Sequence, residues 1–190
     1  MAEFLQSPFS GLSLAVIARY MRMGGQVPEG ALAARVEGLR GQTLKVLRPA
    51  RIWRRVEMPL PVESRALARH LAGCPAAYLV CGTVGAELDA LQRRVAVTSG
   101  VDALIVQAIG AAAIEAWMDA VEGEIRLELA PGEELVSRFS PGYGDLPLAS
   151  QRTILTILDT PRKIGVSLTD TLLMVPSKSV SAIVGVRRSG

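Results

Sequence analysis

Aromatic side chains are scarce in this 190-residue chain, at 4% of the sequence. With so few rings there is little on which to stack runs of bases or sugars. Histidine occurs once, as His70, and cysteine twice, as Cys74 and Cys81. One imidazole and two thiols separated by six residues assemble neither a Ser-His-Asp triad nor a conventional zinc or redox site. A lone His inside a short amphipathic stretch predicts a structural residue. The cysteines make no disulfide framework, and their small apolar neighbours predict buried, reduced thiols. No G-x-G-x-x-G follows a strand-like run and no Walker loop is present, which leaves hydrolases and nucleotidases poorly supported. The N-terminal stretch MAEFLQSPFSGLSLAVIARYM lacks a basic leader followed by an apolar run and a cleavage site, which predicts a cytoplasmic protein.

What is abundant is small and aliphatic. The chain is 49% hydrophobic and 21% charged, the balance of a globular chain with a core fine-grained in Ala, Val, Leu and Gly. Its net charge is +3, and Arg is by far the commoner base. The arginines recur in groups: Arg48, Arg51, Arg54 and Arg55; Arg93 and Arg94; Arg187 and Arg188. Electrostatics alone permits nucleic acid, but without a recognition motif or interleaved aromatics the expectation is no nucleic-acid partner. Docking onto an acidic protein is the functional reading of these groups, and a solvated surface the plain one.

Apolar spacing predicts a helix over residues 11–23, ended by Gly24 and Gly25, and a second over Glu29–Leu39 with Gly41 beyond it. Residues 43–62 read as extended. Ser64 is a good N-cap for RALARHLA, with Gly73 as its stop. Ala76–Val84 reads as a buried strand, and Gly85 leads into a helix carrying Glu87, Leu88 and Leu91. The longest helix opens near Ser99 and runs to about Val121. Between Val101 and Met118 its strongly polar side chains are Asp102, Gln107 and Glu115, so it reads as a central core helix rather than a membrane span. Beyond Pro131-Gly132 comes a loop, RFSPGYGDLPLAS, with a Pro141-Gly142 turn, then a short helix capped by Ser150 and stopped by Pro161. Strands IGVSL, LLMV and SAIVGV follow, the last two joined as a hairpin through PSKS. Helices and strands mixed without βαβ rhythm mean α+β, with no internal repeat. Residues 1–62 are expected as an N-terminal helical and extended segment and residues 63–190 as the core of one continuous domain.

Two features carry chemistry. Glu115 lies in the middle of the buried helix, where an ionised carboxylate must be neutral, paired or facing a cavity. Arg138 opens the loop R-F-S-P-G-Y. Its planar guanidinium can grip a carboxylate with two parallel hydrogen bonds, and Gly142 lets backbone approach a ligand closely. Tyr143 can bond such a ligand or cover it with its ring.

At this point the chain becomes recognisable. Arg138 to Pro147, RFSPGYGDLP, resembles the R-x-x-x-G-Y-P-A-C-P loop of the activation domain of vitamin B12-dependent methionine synthase. The segment IGVSLTDTLLMVPSKSVSAIVG resembles that family's L-T-E-S, M-x-P and S-V-S-G run, with Leu168, Thr169, Asp170, Met174, Pro176, Ser179, Val180, Ser181 and Gly185 in corresponding order. Upstream, VDALIVQAIGAAAIEAWMDAVEGEI is similar to its long helix with an A-E-A-F core, which sets Glu115 on an acidic residue of the ligand pocket. The resemblance covers residues 75–186 and implies a twisted, mainly antiparallel sheet with a long central helix and flanking helices.

The resemblance further implies an accessory protein that binds S-adenosylmethionine and supports reductive methylation of cob(II)alamin on a separate cobalamin-dependent methionine synthase. Cobalamin would be met only through that partner, with a flavodoxin- or ferredoxin-type electron donor and neither nucleic acid nor membrane involved. It implies a binding set of Glu115, Arg138, Ser140, Pro141, Gly142 and Tyr143, with no catalytic or metal-ligating residue. Arg138 would engage the methionine carboxylate, the 139–142 backbone would line the slot, and Glu115 would favour the cationic amine and sulfonium. Three family features lack counterparts: an acidic residue in a D-W-T-P-F-F segment, an aromatic pair beyond S-V-S-G, and the P-A-C of the loop, where Gly144, Asp145 and Leu146 stand. The alternative is a docking or cap module for a cobalamin or corrinoid protein that no longer binds S-adenosylmethionine.

Overall fold

The run AAYLVCGT, apolar or small along its whole length, forms strand β2 (Ala76–Thr83) and is buried at every position. A strand buried on both faces needs a layer on each side, and the chain supplies both. The computed structural model describes residues 7–62 and 64–188. Positions 1–6, the start of the stretch read as lacking a leader, and Glu63, where the expected core segment begins, lie outside the described residues.

The N-terminal helices are α1 (Leu14–Tyr20) and α2 (Gly30–Val46), followed by strand β1 (Ala50–Glu57) and helix α3 (Arg65–His70). After β2 come α4 (Glu87–Thr98), the long α5 (Gly100–Arg126) and the short β3 (Glu133–Leu135). The remainder is α6 (Ser150–Leu158), α7 (Thr160–Ile164), β4 (Ser167–Leu168), β5 (Met174–Val175) and β6 (Ser179–Arg188). The main sheet has the order β1-β2-β6-β3 and is antiparallel throughout. One face carries α1, α2, α4 and α5 around Val80, Ile109, Met118 and Val184; the other carries α3, α6 and α7 around Leu79, Leu155 and Ile183. The fold is α+β with a long central helix, as expected.

Helix α5 begins where Ser99 accepts a hydrogen bond from the Asp102 N–H at 3.1 Å, a cap of the kind that contributes about 1 kcal/mol. It has the length and hydropathy of a membrane span, but Ile105, Val106, Ile109, Ala113, Met118, Val121 and Ile125 are all buried in the core. Gly110 sits mid-helix because a Cβ there would lie 2.8 Å from Leu88 Cδ2 and 3.1 Å from Lys178 Cε. The helix runs five residues past the expected end at Val121, since Val121, Glu122 and Ile125 stay on its buried face.

Other boundaries differ from the sequence expectation. Helix α2 passes through Gly41 to Val46, because Val36, Leu39 and Thr43 keep one face buried and that burial outweighs a cost of about 1 kcal/mol for an interior glycine. Extended structure in 43–62 shrinks to β1. Ser150 is the first residue of α6 rather than its cap; the N-cap is Ala149, whose side chain makes no capping bond. Strand β3 forms just before the expected RFSPGYGDLPLAS loop, in a stretch for which the sequence predicts no element. LLMV and SAIVGV do not form a hairpin: β5 pairs with β4, while β6 enters the main sheet between β2 and β3. The Val175–Pro176 peptide is cis, and Asp89 holds the next residue by accepting from the Ser177 N–H at 2.9 Å, which turns the chain away from β5.

Candidate functional site

The site forms where β3 leaves the sheet. Leu135 lies opposite Val186, whereas Phe139 lies opposite Ile183. Four steps on one strand therefore match three on the other, which is a bulge, and bulges re-aim side chains. Phe139 packs into the core beneath α6, and Arg138, beside the bulge, turns to the α5 side.

There Arg138 meets three carboxylates of α5. Its Nη2 donates to Glu115 Oε2 at 3.1 Å and Asp119 Oδ1 at 2.9 Å, and its Nε lies 3.2 Å from Glu122 Oε1. Residues 115, 119 and 122 recur at i, i+4 and i+7, so one helix face presents all three. The environment is graded: the Asp119 side chain is 71% exposed, Glu115 47% and Glu122 11%. Burial raises the pKa of Glu122 above the usual carboxylate range, against the pull of Arg138 and Arg126. Glu115 is thus not the interior acid expected from its place in the sequence; it stands at a rim, and Glu122 is the buried one.

A cavity of about 390 Å³ opens beside this cluster, lined by Glu115, Arg138, Ser140, Tyr143, Gln151 and Ser181 among others. Pro141 also lines it. Gly142 is adjacent with φ +94°, a conformation that favours glycine, and its N–H donates to Leu146 O at 2.9 Å. Two polar atoms of the lining are buried without a hydrogen-bond partner: Arg138 Nη1 and Ser181 Oγ. Such atoms cost about 1–3 kcal/mol when unpaired, and both are donors suited to an anionic or carbonyl oxygen. The mouth carries exposed apolar side chains, Tyr143 at 67% and Leu148 at 44%.

The loop is anchored from below. The Asp145 carboxylate accepts from the N–H groups of Arg65 at 3.0 Å and Ala66 at 2.9 Å, and from the Ser64 hydroxyl. Those bonds, led by the Ser64 contact, hold its pKa down at about 2, and α3 is thereby tied to the Arg138 loop. His70 Nε2 bonds Ser137 O at 2.7 Å and its ring packs 5.1 Å from Phe139, so it buttresses the same loop. Cys74 and Cys81 are free and buried, and burial pushes the Cys81 thiol up to about 12. No group of three or more His, Cys, Asp or Glu suited to a metal occurs among the described residues.

Of the six residues expected as a binding set, Glu115, Arg138, Ser140, Pro141 and Tyr143 line this one cavity and Gly142 lies next to it in the chain. Asp119, Glu122 and Ser181 were not among them. The two acids were legible in the helical period, and Ser181 lay within the S-V-S stretch without an assigned part. A larger cleft of about 480 Å³ lies between α6, α7 and β4, lined by Arg152, Thr156 and Asp159. It is open to solvent and shares no residue with the Arg138 cluster.

A family model described as vitamin B12 dependent methionine synthase, activation domain, matches residues 80–189, more than half of the chain. Among solved structures, a crystal structure of the MetH reactivation domain bound to AdoHcy matches with a TM-score of 0.61 and 17% identity, covering 90% of this chain and 74% of that one. At that identity the match speaks for the fold. No curated protein matches the chain in sequence.

Proposed function

Because the chain belongs to the vitamin B12 dependent methionine synthase activation domain family, we propose that the Arg138 cavity binds S-adenosylmethionine. The role we assign is that of an accessory protein, serving reductive methylation of cob(II)alamin on a cobalamin-dependent methionine synthase. S-adenosylmethionine would supply the methyl group, and the cobalamin would arrive with the partner.

The observation that carries this reading is the pair of unpartnered buried donors, Arg138 Nη1 and Ser181 Oγ, on the same cavity as the Glu115 carboxylate. The ligand's carboxylate would satisfy both donors, given a small turn of the guanidinium. Arg138 is held in place by its other nitrogens, so less ordering is lost when the ligand binds. Electrostatics supports a cationic ligand: three carboxylates surround one guanidinium, leaving negative charge beside the cavity. An amino-acid sulfonium carries two positive charges and one negative, and its cationic centres would face Glu115 and Asp119. Ser140, Pro141 and Tyr143 would line the amino-acid end, with Gly142 giving the loop its turn.

The partner would dock over the mouth, where Tyr143, Leu148, Leu173 and Val175 expose apolar surface beside the polar cavity. A flavodoxin- or ferredoxin-type donor would supply the electron, and the setting would be cytoplasmic.

The test is calorimetric titration of the full chain with S-adenosylmethionine, alone and with a cobalamin-loaded methionine synthase lacking its own activation domain. Ser181→Ala separates function from folding. Removing an unsatisfied buried hydroxyl leaves stability unchanged or raises it by about 1 kcal/mol, whereas binding should weaken roughly five- to tenfold. Absence of heat in both wild-type titrations would refute the ligand claim.

A further inference from the structure

Strand β1 is an outer strand of the main sheet: β2 pairs with one of its edges, and no described strand pairs with the other. The register Glu57↔Ala76 and the bond from the Met58 N–H to Pro75 O at 3.1 Å set the alternation of that ladder. Even-numbered residues of β1 therefore bond β2. The N–H and C=O groups of Arg51, Trp53, Arg55 and Glu57 point away from it, and no described residue bonds them. Open edges are commonly guarded by charged side chains, and β1 carries three arginines. Two of them are drawn off the edge, over the sheet face that packs on α5. Arg51 pairs with Glu124 and lies 5.6 and 5.5 Å from the rings of Trp53 and Trp117. Arg55 crosses the Tyr78 ring of β2, 5.9 Å away, to reach Glu133 of β3 at 2.6 Å. Trp53 is held by Glu128 at 3.1 Å. The edge is left as bare backbone. Leu127, 87% exposed, falls in the chain between the two glutamates that hold Arg51 and Trp53.

We propose that this edge pairs antiparallel with the same edge of a second copy of the chain, in a register centred on Ile52. A two-fold axis normal to the sheet relates the strands and closes the assembly at two chains. Such an axis sets each residue opposite one on the same sheet face, so charge decides between registers. Centred on Trp53, pairing opposes Arg51 to Arg55 of the second copy; centred on Arg54, it opposes Arg54 to itself. The longest register without opposed like charges is centred on Ile52. It sets Arg51 against the Trp53 ring, a cation against a π face, with Arg54 against Ala50 and Ile52 against Ile52. The outward groups of Arg51 and Trp53 then bond each other across the axis, and Pro49, which has no N–H, ends the ladder. The Arg138 loop follows β3, at the other end of the sheet order, so pairing leaves both cavities open.

Sedimentation velocity of the full chain over a concentration series tests the interface, with two pairs of variants, each checked for an unchanged thermal midpoint. Arg51→Pro removes an outward N–H without touching the β2 ladder, as a proline on an edge strand can. Arg51→Ala removes the same side chain and keeps the N–H. The dimer dissociation constant should be about tenfold higher in Arg51→Pro than in Arg51→Ala. Ile52→Cys and Arg54→Cys read the register. Opposed residues that exchange no hydrogen bonds stand about 4.5 Å apart at Cα, within reach of a disulfide. Oxidation should therefore cross-link Ile52→Cys and leave Arg54→Cys unlinked. A wild type that sediments as a monomer throughout, or equal constants for the two Arg51 variants, overturns the interface. Failure of Ile52→Cys to cross-link, or cross-linking of Arg54→Cys in its place, overturns the register.

Discussion

Replacing Arg138 by Leu removes the cation that three carboxylates share, and the structure sets the size of the effect. Contacts with Asp119 and Glu115, 71% and 47% exposed, are worth about 0.2–1 kcal/mol each, as screened ion pairs are. The Glu122 contact joins an 11% exposed carboxylate to a 20% exposed guanidinium. A partly buried ion pair of that kind lies between the exposed and the buried case and contributes about 1–3 kcal/mol. Arg138→Leu should therefore lower the unfolding free energy by about 2–4 kcal/mol at pH 7. Most of that loss comes from leaving Glu122 charged with Arg126 as its remaining cation, so Arg138→Leu/Glu122→Gln should recover more than half of it.

The same reasoning gives a pH dependence. Glu122 already has a folded pKa above its unfolded value, so the folded state holds its proton more tightly and stability is lost as pH rises through the folded pKa. Without Arg138 that pKa climbs further. The gap between variant and wild type should be smallest near pH 4 and widen toward pH 7. Urea unfolding followed by the fluorescence of Trp53 and Trp117 measures both quantities. A gap that is constant across that range, or a double variant no more stable than Arg138→Leu, would refute the view that Glu122 is the energetic centre of the cluster.

Two further outcomes follow from the packing around the site. Asp145 is held at a pKa of about 2 by its bonds to Ser64, Ala66 and Arg65; its stabilising contribution is fully present above the ordinary carboxylate pKa and lost as pH falls toward 2. Asp145→Ala should flatten the acid limb of the stability profile in that window, read by circular dichroism, and an unchanged slope would mean the loop anchor is unimportant. Gly185→Ala places a Cβ 2.6 Å from Leu71 Cδ2, 2.9 Å from Cys74 Sγ and 3.1 Å from Val136 Cγ2; overpacking of that kind costs about 1–3 kcal/mol. A thermal midpoint equal to the wild type would show that this side of the sheet yields more easily than its contacts imply.

Much of the fold could be read from residues whose local preference and tertiary role agree. Strand β2, the Ser64 cap of α3 and the core character of α5 all have pattern and packing pointing one way. The departures lie where tertiary contacts override local chemistry. Gly41 reads as a stop, yet α2 continues because its buried face does. Two glutamates after Pro131-Gly132 carry no strand pattern, yet β3 forms there, where Arg55 and Arg187 pair with Glu133 and Glu134. The β5–β6 hairpin fails because pairing depends on where Asp89 pins Ser177, a contact 88 residues apart in sequence. At the site, Glu115 and Arg138 were each conspicuous by type and place. Their meeting at 3.1 Å depends on the bulge before Phe139, which no local pattern announces.

The most direct check is a crystal of the full chain grown with S-adenosylhomocysteine. Density running from Arg138 and Ser181 across Glu115 would bear out the central claim. Ligand found only in the open cleft by Arg152 and Asp159, with the Arg138 cavity unchanged, would contradict it.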